Sequence, residues 1–152
     1  MTLPIKRAIY KHKNNNEYYV MFIANADSER EEYPPQVIYV DVEAGKVWAK
    51  GVERFNSGMS LVENHPSTQI GYSILRKEGV EYPKIGDTYR HHNGNEYTVL
   101  QIANTHAESE DYPVTVVYQG KNGKVWSKTL DNFNNKVSNP ALSDEACNRK
   151  TK

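Results

Sequence analysis

Tyr89-Arg90-His91-His92-Asn93-Gly94-Asn95-Glu96-Tyr97-Thr98-Val99 decides the fold. An aromatic residue opens the stretch, a β-branched run closes it, and Asn-Gly stands between. That order reads as strand, two-residue hairpin turn, strand, because Gly and Asn accept the positive φ such a turn demands. The same text stands earlier as Tyr10-Lys11-His12-Lys13-Asn14-Asn15-Asn16-Glu17-Tyr18-Tyr19-Val20. Followed outward, the match continues. Ile23-Ala24-Asn25 repeats as Ile102-Ala103-Asn104, Tyr33-Pro34 as Tyr112-Pro113, and Val37 and Tyr39 as Val116 and Tyr118. After a one-residue gap, Gly45-Lys46-Val47-Trp48 repeats as Gly123-Lys124-Val125-Trp126, and Phe55-Asn56 as Phe133-Asn134. Roughly half the aligned positions are identical, so the chain is expected to hold one small unit written twice.

Short strands with turn signals at close intervals predict the unit. Strands are expected over 5–12, 17–25, 36–42 and 46–50, then a single 3₁₀ turn over 51–55 and a short closing strand. The second strand is apolar at both parities, which fits a strand buried on two faces or bent to serve two sheets. Tyr33-Pro34-Pro35 ends the loop before the third strand, since proline fixes an extended entry and cannot pair. Five short strands and no long helix predict an all-β chain of two tandem SH3- or Tudor-like antiparallel barrels. The expected organisation is 1–62 for the first repeat, 63–81 for a connector, 82–138 for the second repeat and 139–152 for a tail. Within the connector, Pro66, Ser67, Ile70, Ile74 and Gly79 predict a short helix over 67–77. A further tail helix is expected from Asn139 through Cys147.

The bulk properties exclude several classes. The chain has 152 residues with 19 basic and 19 acidic side chains, so no net charge argues for a basic nucleic-acid arm. One cysteine, Cys147, permits neither an internal disulfide nor a cysteine zinc site. No apolar run reaches the roughly 20 residues that span a bilayer, and the start lacks a signal-peptide core. A cytoplasmic protein is expected, in a bacterial cytosol or in a host cytosol if phage-encoded. Eleven tyrosines offset a modest apolar content of 38%, because aromatic rings bury large areas. A unit of about 60 residues is only marginally stable alone, so two packed units gain from a shared interface.

Tyr89-Arg90-His91, Gly94-Asn95, Tyr97, Ile102-Ala103, His106, Glu108-Ser109-Glu110, Val116-Val117-Tyr118, Val125-Trp126 and Phe133 together resemble a bacterial and phage family, domain of unknown function 1653. The resemblance covers most of 82–134 and, more loosely, 5–56. It implies a small SH3-like barrel and no activity. The family's Trp-Val-Arg-Pro element reads Trp48-Ala49-Lys50-Gly51 and Trp126-Ser127-Lys128-Thr129 here.

The candidate chemistry is sparse. No Ser/His/Asp order, glycine-rich phosphate loop or metal motif is present, so no cofactor and no catalytic residue is assigned. His12 and His91 repeat at one offset. They read either as ligand contacts or, preferably, as hydrogen-bond ties between the first strand and its turn. His91-His92 is a poor chelate, because neighbours on a strand point to opposite faces. Glu29, Glu31, Glu108 and Glu110 read as a solvated loop. Trp48 and Trp126 beside Lys50 and Lys128 suit either a core or an aromatic binding groove. Lys11, His12 and Lys13, thinning to Arg90, His91 and His92 in the second repeat, suit a phosphate backbone. The expected function is a non-enzymatic module that contacts nucleic acid or a nucleoprotein through these ten residues. The alternatives are a module acting on a host protein, and a small-molecule or nucleotide binder. The last needs a cleft holding His12 or His91 beside Glu29 or Glu108.

Overall fold

The computed structural model describes residues 2–62 and 71–138. The first unit runs β1 (Ile9–His12), β2 (Glu17–Ala24), β3 (Gln36–Asp41), β4 (Val47–Gly51), α1 (Val52–Gly58) and β5 (Met59–Val62). The second runs β6 (Thr88–His91), β7 (Glu96–Ala103), β8 (Thr115–Gly120), β9 (Val125–Thr129), α2 (Leu130–Lys136) and β10 (Val137–Ser138). Each sheet is an antiparallel meander whose last strand returns to its first, in the orders β4-β3-β2-β1-β5 and β10-β6-β7-β8-β9. This is the all-β, two-barrel architecture expected of SH3-like units. No helix among the described residues is long and apolar enough to cross a membrane.

Period-two burial explains the barrels. On β3, Val37 and Tyr39 face the unit's own interior with Val20, Val52 and Phe55. Ile38 and Val40 face the other way, into a third apolar layer with Val47, Ala49, Ala103 and Val117. The second unit repeats the first arrangement with Val99, Val116, Tyr118, Leu130 and Phe133. The apolar residues at both parities of β2 are explained by a bulge. Its register slips between Val20 and Phe22, and that of β7 slips between Val99 and Gln101. One extra residue reverses which parity faces inward. Val20 and Ile23 therefore serve the barrel, while Tyr19, Phe22 and Ala24 serve the shared layer.

The shared layer is locked by two asparagines. Asn25 and Asn104 end β2 and β7 with left-handed φ of 61° and 68°, a conformation asparagine tolerates better than most residues. The Asn25 amide donates to the Val125 carbonyl at 2.8 Å, and the Asn104 amide donates to the Val47 carbonyl at 2.8 Å. Asn25 Oδ1 accepts the Ser127 amide at 3.0 Å, and Asn104 Oδ1 accepts the Ala49 amide at 2.9 Å. Their Nδ2 groups donate to the carbonyls of Pro34 at 3.1 Å and Pro113 at 3.0 Å. In these bonds each unit gives the other what it receives, as in an isologous dimer.

Four local expectations are corrected. The hairpin loop of the opening stretch has three residues, not two. His91 accepts the Gly94 amide at 2.8 Å and donates to Asn95, and in the loop only Gly94 has positive φ, at 90°. That is a right-handed turn followed by a left-handed glycine, the next commonest hairpin connection. The turn after β4 is a seven-residue α-helix rather than 3₁₀. The first strand begins at Ile9 because Lys6 and Arg7 form a turn. The connector is not helical over 71–77: the Ser73 amide donates to Gly45 at 2.8 Å and Ile74 packs on the shared layer. The rest of the expected connector helix, 67–70, and the tail helix lie outside the described residues.

Two predictions follow from the barrels. Arg7 and Gly86 occupy equivalent turns with φ of 68° and 96°, donating to Val20 and Val99 at 2.8 Å. A Cβ on Gly86 would meet nothing within 4 Å, so a substitution there is felt through the backbone alone. Gly86→Ala is expected to lower unfolding free energy by about 1 kcal/mol in denaturant titration. Arg7→Ala should be near neutral, because Arg7 already bears the left-handed cost. Equal effects would contradict this account. Burial raises the phenols of Tyr39, Tyr89 and Tyr118, with neighbouring tyrosines adding to the effect at Tyr39 and Tyr118. The folded state therefore holds protons that the unfolded chain releases near pH 10, and stability falls as pH rises above about 10. Tyr118→Phe is expected to flatten that fall in urea titrations from pH 8 to 11, and an unchanged slope would contradict it.

Candidate binding groove and inter-unit cleft

The bent second barrel leaves its aromatic face open beside the loop that follows β2. The result is a groove of about 520 Å³. Tyr97 on β7 and Tyr118 on β8 form its floor, their rings edge-on at 5.2 Å. Trp126 on β9 is half-buried and forms one wall. Tyr33 comes from the first unit and forms another. The Arg30 guanidinium lies 5.3 Å from its ring centre, and the Lys128 ammonium lies 5.8 Å from it. Lys128 also stands 5.9 Å from the Tyr118 ring. Lys124, Asp27 and Glu29 complete the rim. The groove thus offers aromatic surface with charges of both signs at its edge.

His91 lines this groove, but one ring nitrogen is already used. His91 Nδ1 accepts the Asn93 amide at 3.1 Å, and His12 Nδ1 accepts the Asn14 amide at 3.1 Å. Both histidines tie the first strand to its turn, so a neutral ring carries its proton on Nε2.

A second recess, about 250 Å³, lies between the units over the paired asparagines. Its lining includes Lys50, Arg54 and Tyr112, and also Lys128 and Tyr33. Arg54 donates to the Tyr112 hydroxyl at 2.8 Å and lies 5.2 Å from that ring's centre. Burial, then the like charge of Arg54, pushes the Lys50 ammonium below its ordinary range.

The ten residues singled out from the sequence do not form one surface. His91, Trp126 and Lys128 meet in the groove, and Lys50 and Lys128 share the cleft. Trp48 is half-buried and edge-on to Tyr112 at 6.2 Å. Lys11, His12 and Lys13 line a separate recess of about 190 Å³ beside the start of β5. Arg90 is bound to Glu96 at 3.1 Å, and Lys121 holds the same carboxylate at 3.4 Å. Those two partners hold Glu96 below the usual carboxylate range. His92 is exposed, its ring 6.0 Å from that of His91. Glu29, Glu31, Glu108 and Glu110 are all exposed. Among the described residues no three His, Cys, Asp or Glu side chains converge on a metal position.

Sequence reasoning missed Arg54 and the two asparagines as site-building residues. The asparagines left a signal, an Ile-Ala-Asn triplet at the same place in both units. Arg54 left none, since Asn132 stands at its position in the second unit.

The family model described as Protein of unknown function (DUF1653) matches residues 87–143. No curated protein and no solved structure matches the chain. The second unit is thus similar to a family described as of unknown function.

Proposed function

We propose that the protein is a non-enzymatic binding module that holds a short stretch of single-stranded nucleic acid in the groove of the second unit. The observation that carries this reading is the meeting of Trp126, Tyr97 and Tyr33 with Lys124, Lys128 and Arg30 in one concave surface. Aromatic side chains stack bases of any identity, and cations at the rim track the phosphates. Neither requires the chain to be basic overall. On this reading the first unit is a second, diverged copy of the family domain, because its text repeats that of residues 89–134. The bacterial and phage associations of the resembled family support a cytosolic setting for this binding.

A second reading has its own support. His91 and Glu29 share the groove, and a recess of about 520 Å³ suits a single small molecule or nucleotide. Asp27 and Glu29 also disfavour a phosphate at that edge.

Fluorescence anisotropy with labelled single-stranded DNA and RNA tests both. Trp126→Ala is expected to cost about 1–3 kcal/mol of binding free energy. Lys124→Gln is expected to reduce the salt slope by about 0.7. A free mononucleotide competing as well as the oligomer would favour the second reading. Failure of both DNA and RNA to bind at low salt would overturn the first.

A further inference from the structure

We propose that the cleft between the units is an anion site that takes a phosphoryl group on Lys50, Arg54 and the side-chain amide of Asn104. The site is distinct from the aromatic groove, although Tyr33 and Lys128 border both. Three observations converge on it.

The amide comes first. Asn25 and Asn104 are each 2% exposed and both line the cleft. Asn25 Nδ2 has the Pro34 carbonyl at 3.1 Å, the Ser127 hydroxyl at 3.1 Å and, at 3.5 Å, the Ser127 carbonyl. Asn104 Nδ2 has the Pro113 carbonyl at 3.0 Å, but Ala49 stands where its twin has Ser127. Its second N–H therefore has no acceptor among the described residues. A buried donor in that state is unfavourable unless something enters to accept it.

The cations come second. Lys50 and Arg54 lie close enough for one charge to disfavour the other. Among the described residues no carboxylate forms an ion pair with either. The acids bordering the cleft are Glu32 and Asp111. Glu32 is committed to Arg30. Two cations held together without a counter-ion are what an anion site looks like when empty.

Orientation comes third. The Tyr112 hydroxyl and ring hold the Arg54 guanidinium at 2.8 Å and 5.2 Å. A fixed guanidinium fork matches phosphoryl oxygens. The second unit has Asn132 in place of Arg54, so only the first unit supplies such a pair of cations to the cleft.

The phosphoryl group has two sources, a free phosphomonoester or the phosphodiester of a nucleic-acid backbone. Nuclear magnetic resonance titration of the full chain with inorganic phosphate, and separately with a dinucleotide lacking terminal phosphates, distinguishes them. Either ligand is expected to shift the Asn104 side-chain amide signals. Phosphate alone doing so assigns a monoester, and the dinucleotide doing so assigns a backbone. Lys50→Gln and Arg54→Gln should each weaken the response at least tenfold. Ala49→Ser, which supplies the missing acceptor, should weaken it several-fold without removing a charge. Trp126→Ala should leave it unchanged, so failure of the groove reading does not register here. No shift with either ligand at millimolar concentration, or an unaltered response in Lys50→Gln and Arg54→Gln, would overturn the proposal.

Discussion

The reciprocal grip of Asn25 and Asn104 is the constraint on which the rest depends. Each asparagine stops its strand, turns left-handed, and satisfies an exposed backbone edge of the opposite unit through both its main chain and its side chain. These bonds are nearly fully shielded from water. Breaking one set leaves buried backbone groups unpaired, at a cost of about 1–3 kcal/mol for each group. The apolar layer beneath adds the non-directional part of the same attachment. Two barrels that would each be marginal at about 60 residues thereby act as one larger body.

Near-symmetry broken at a few positions creates the two recesses. The interface uses matching residues on both sides, so the units dock in one way. Surface positions at equal places then differ: Ala49 against Ser127, Gly51 against Thr129, Arg54 against Asn132. The cleft over the asparagines is accordingly cationic and donor-rich around Lys50 and Arg54. The aromatic groove, in contrast, takes Tyr33 and the Asp27–Arg30 loop from one unit and Tyr97, Tyr118 and Trp126 from the other. Neither recess would be complete in a single barrel.

Much of the fold was legible because it rests on local rules. Alternation on β3, the glycines of the turns and the proline before the third strand act over a few residues, and the repeat doubled each signal. The apolar residues at both parities of β2 also announced a second packing face. What the strand could not announce was the bulge that changes the parity, because a bulge is set by pairing with β3. The start of β1 was misplaced for a related reason: Arg7 adopts a glycine-like conformation that only its twin, Gly86, declares. The site was less legible. Lys11, Lys13 and Arg90 looked like one basic edge, but the fold sends the lysines to a recess of their own and ties Arg90 to Glu96. Arg54 and Tyr33 gain their importance from contact with the other unit, which no local pattern encodes.

The most direct measurement is native-state hydrogen exchange at the four interface amides, those of Asn25, Ala49, Asn104 and Ser127. All four are expected to exchange only through global opening, with one common free energy that equals the unfolding free energy from denaturant. Exchange of these amides at a markedly lower free energy, with the amides of either barrel still protected, would show that the units separate before they unfold and would contradict the account.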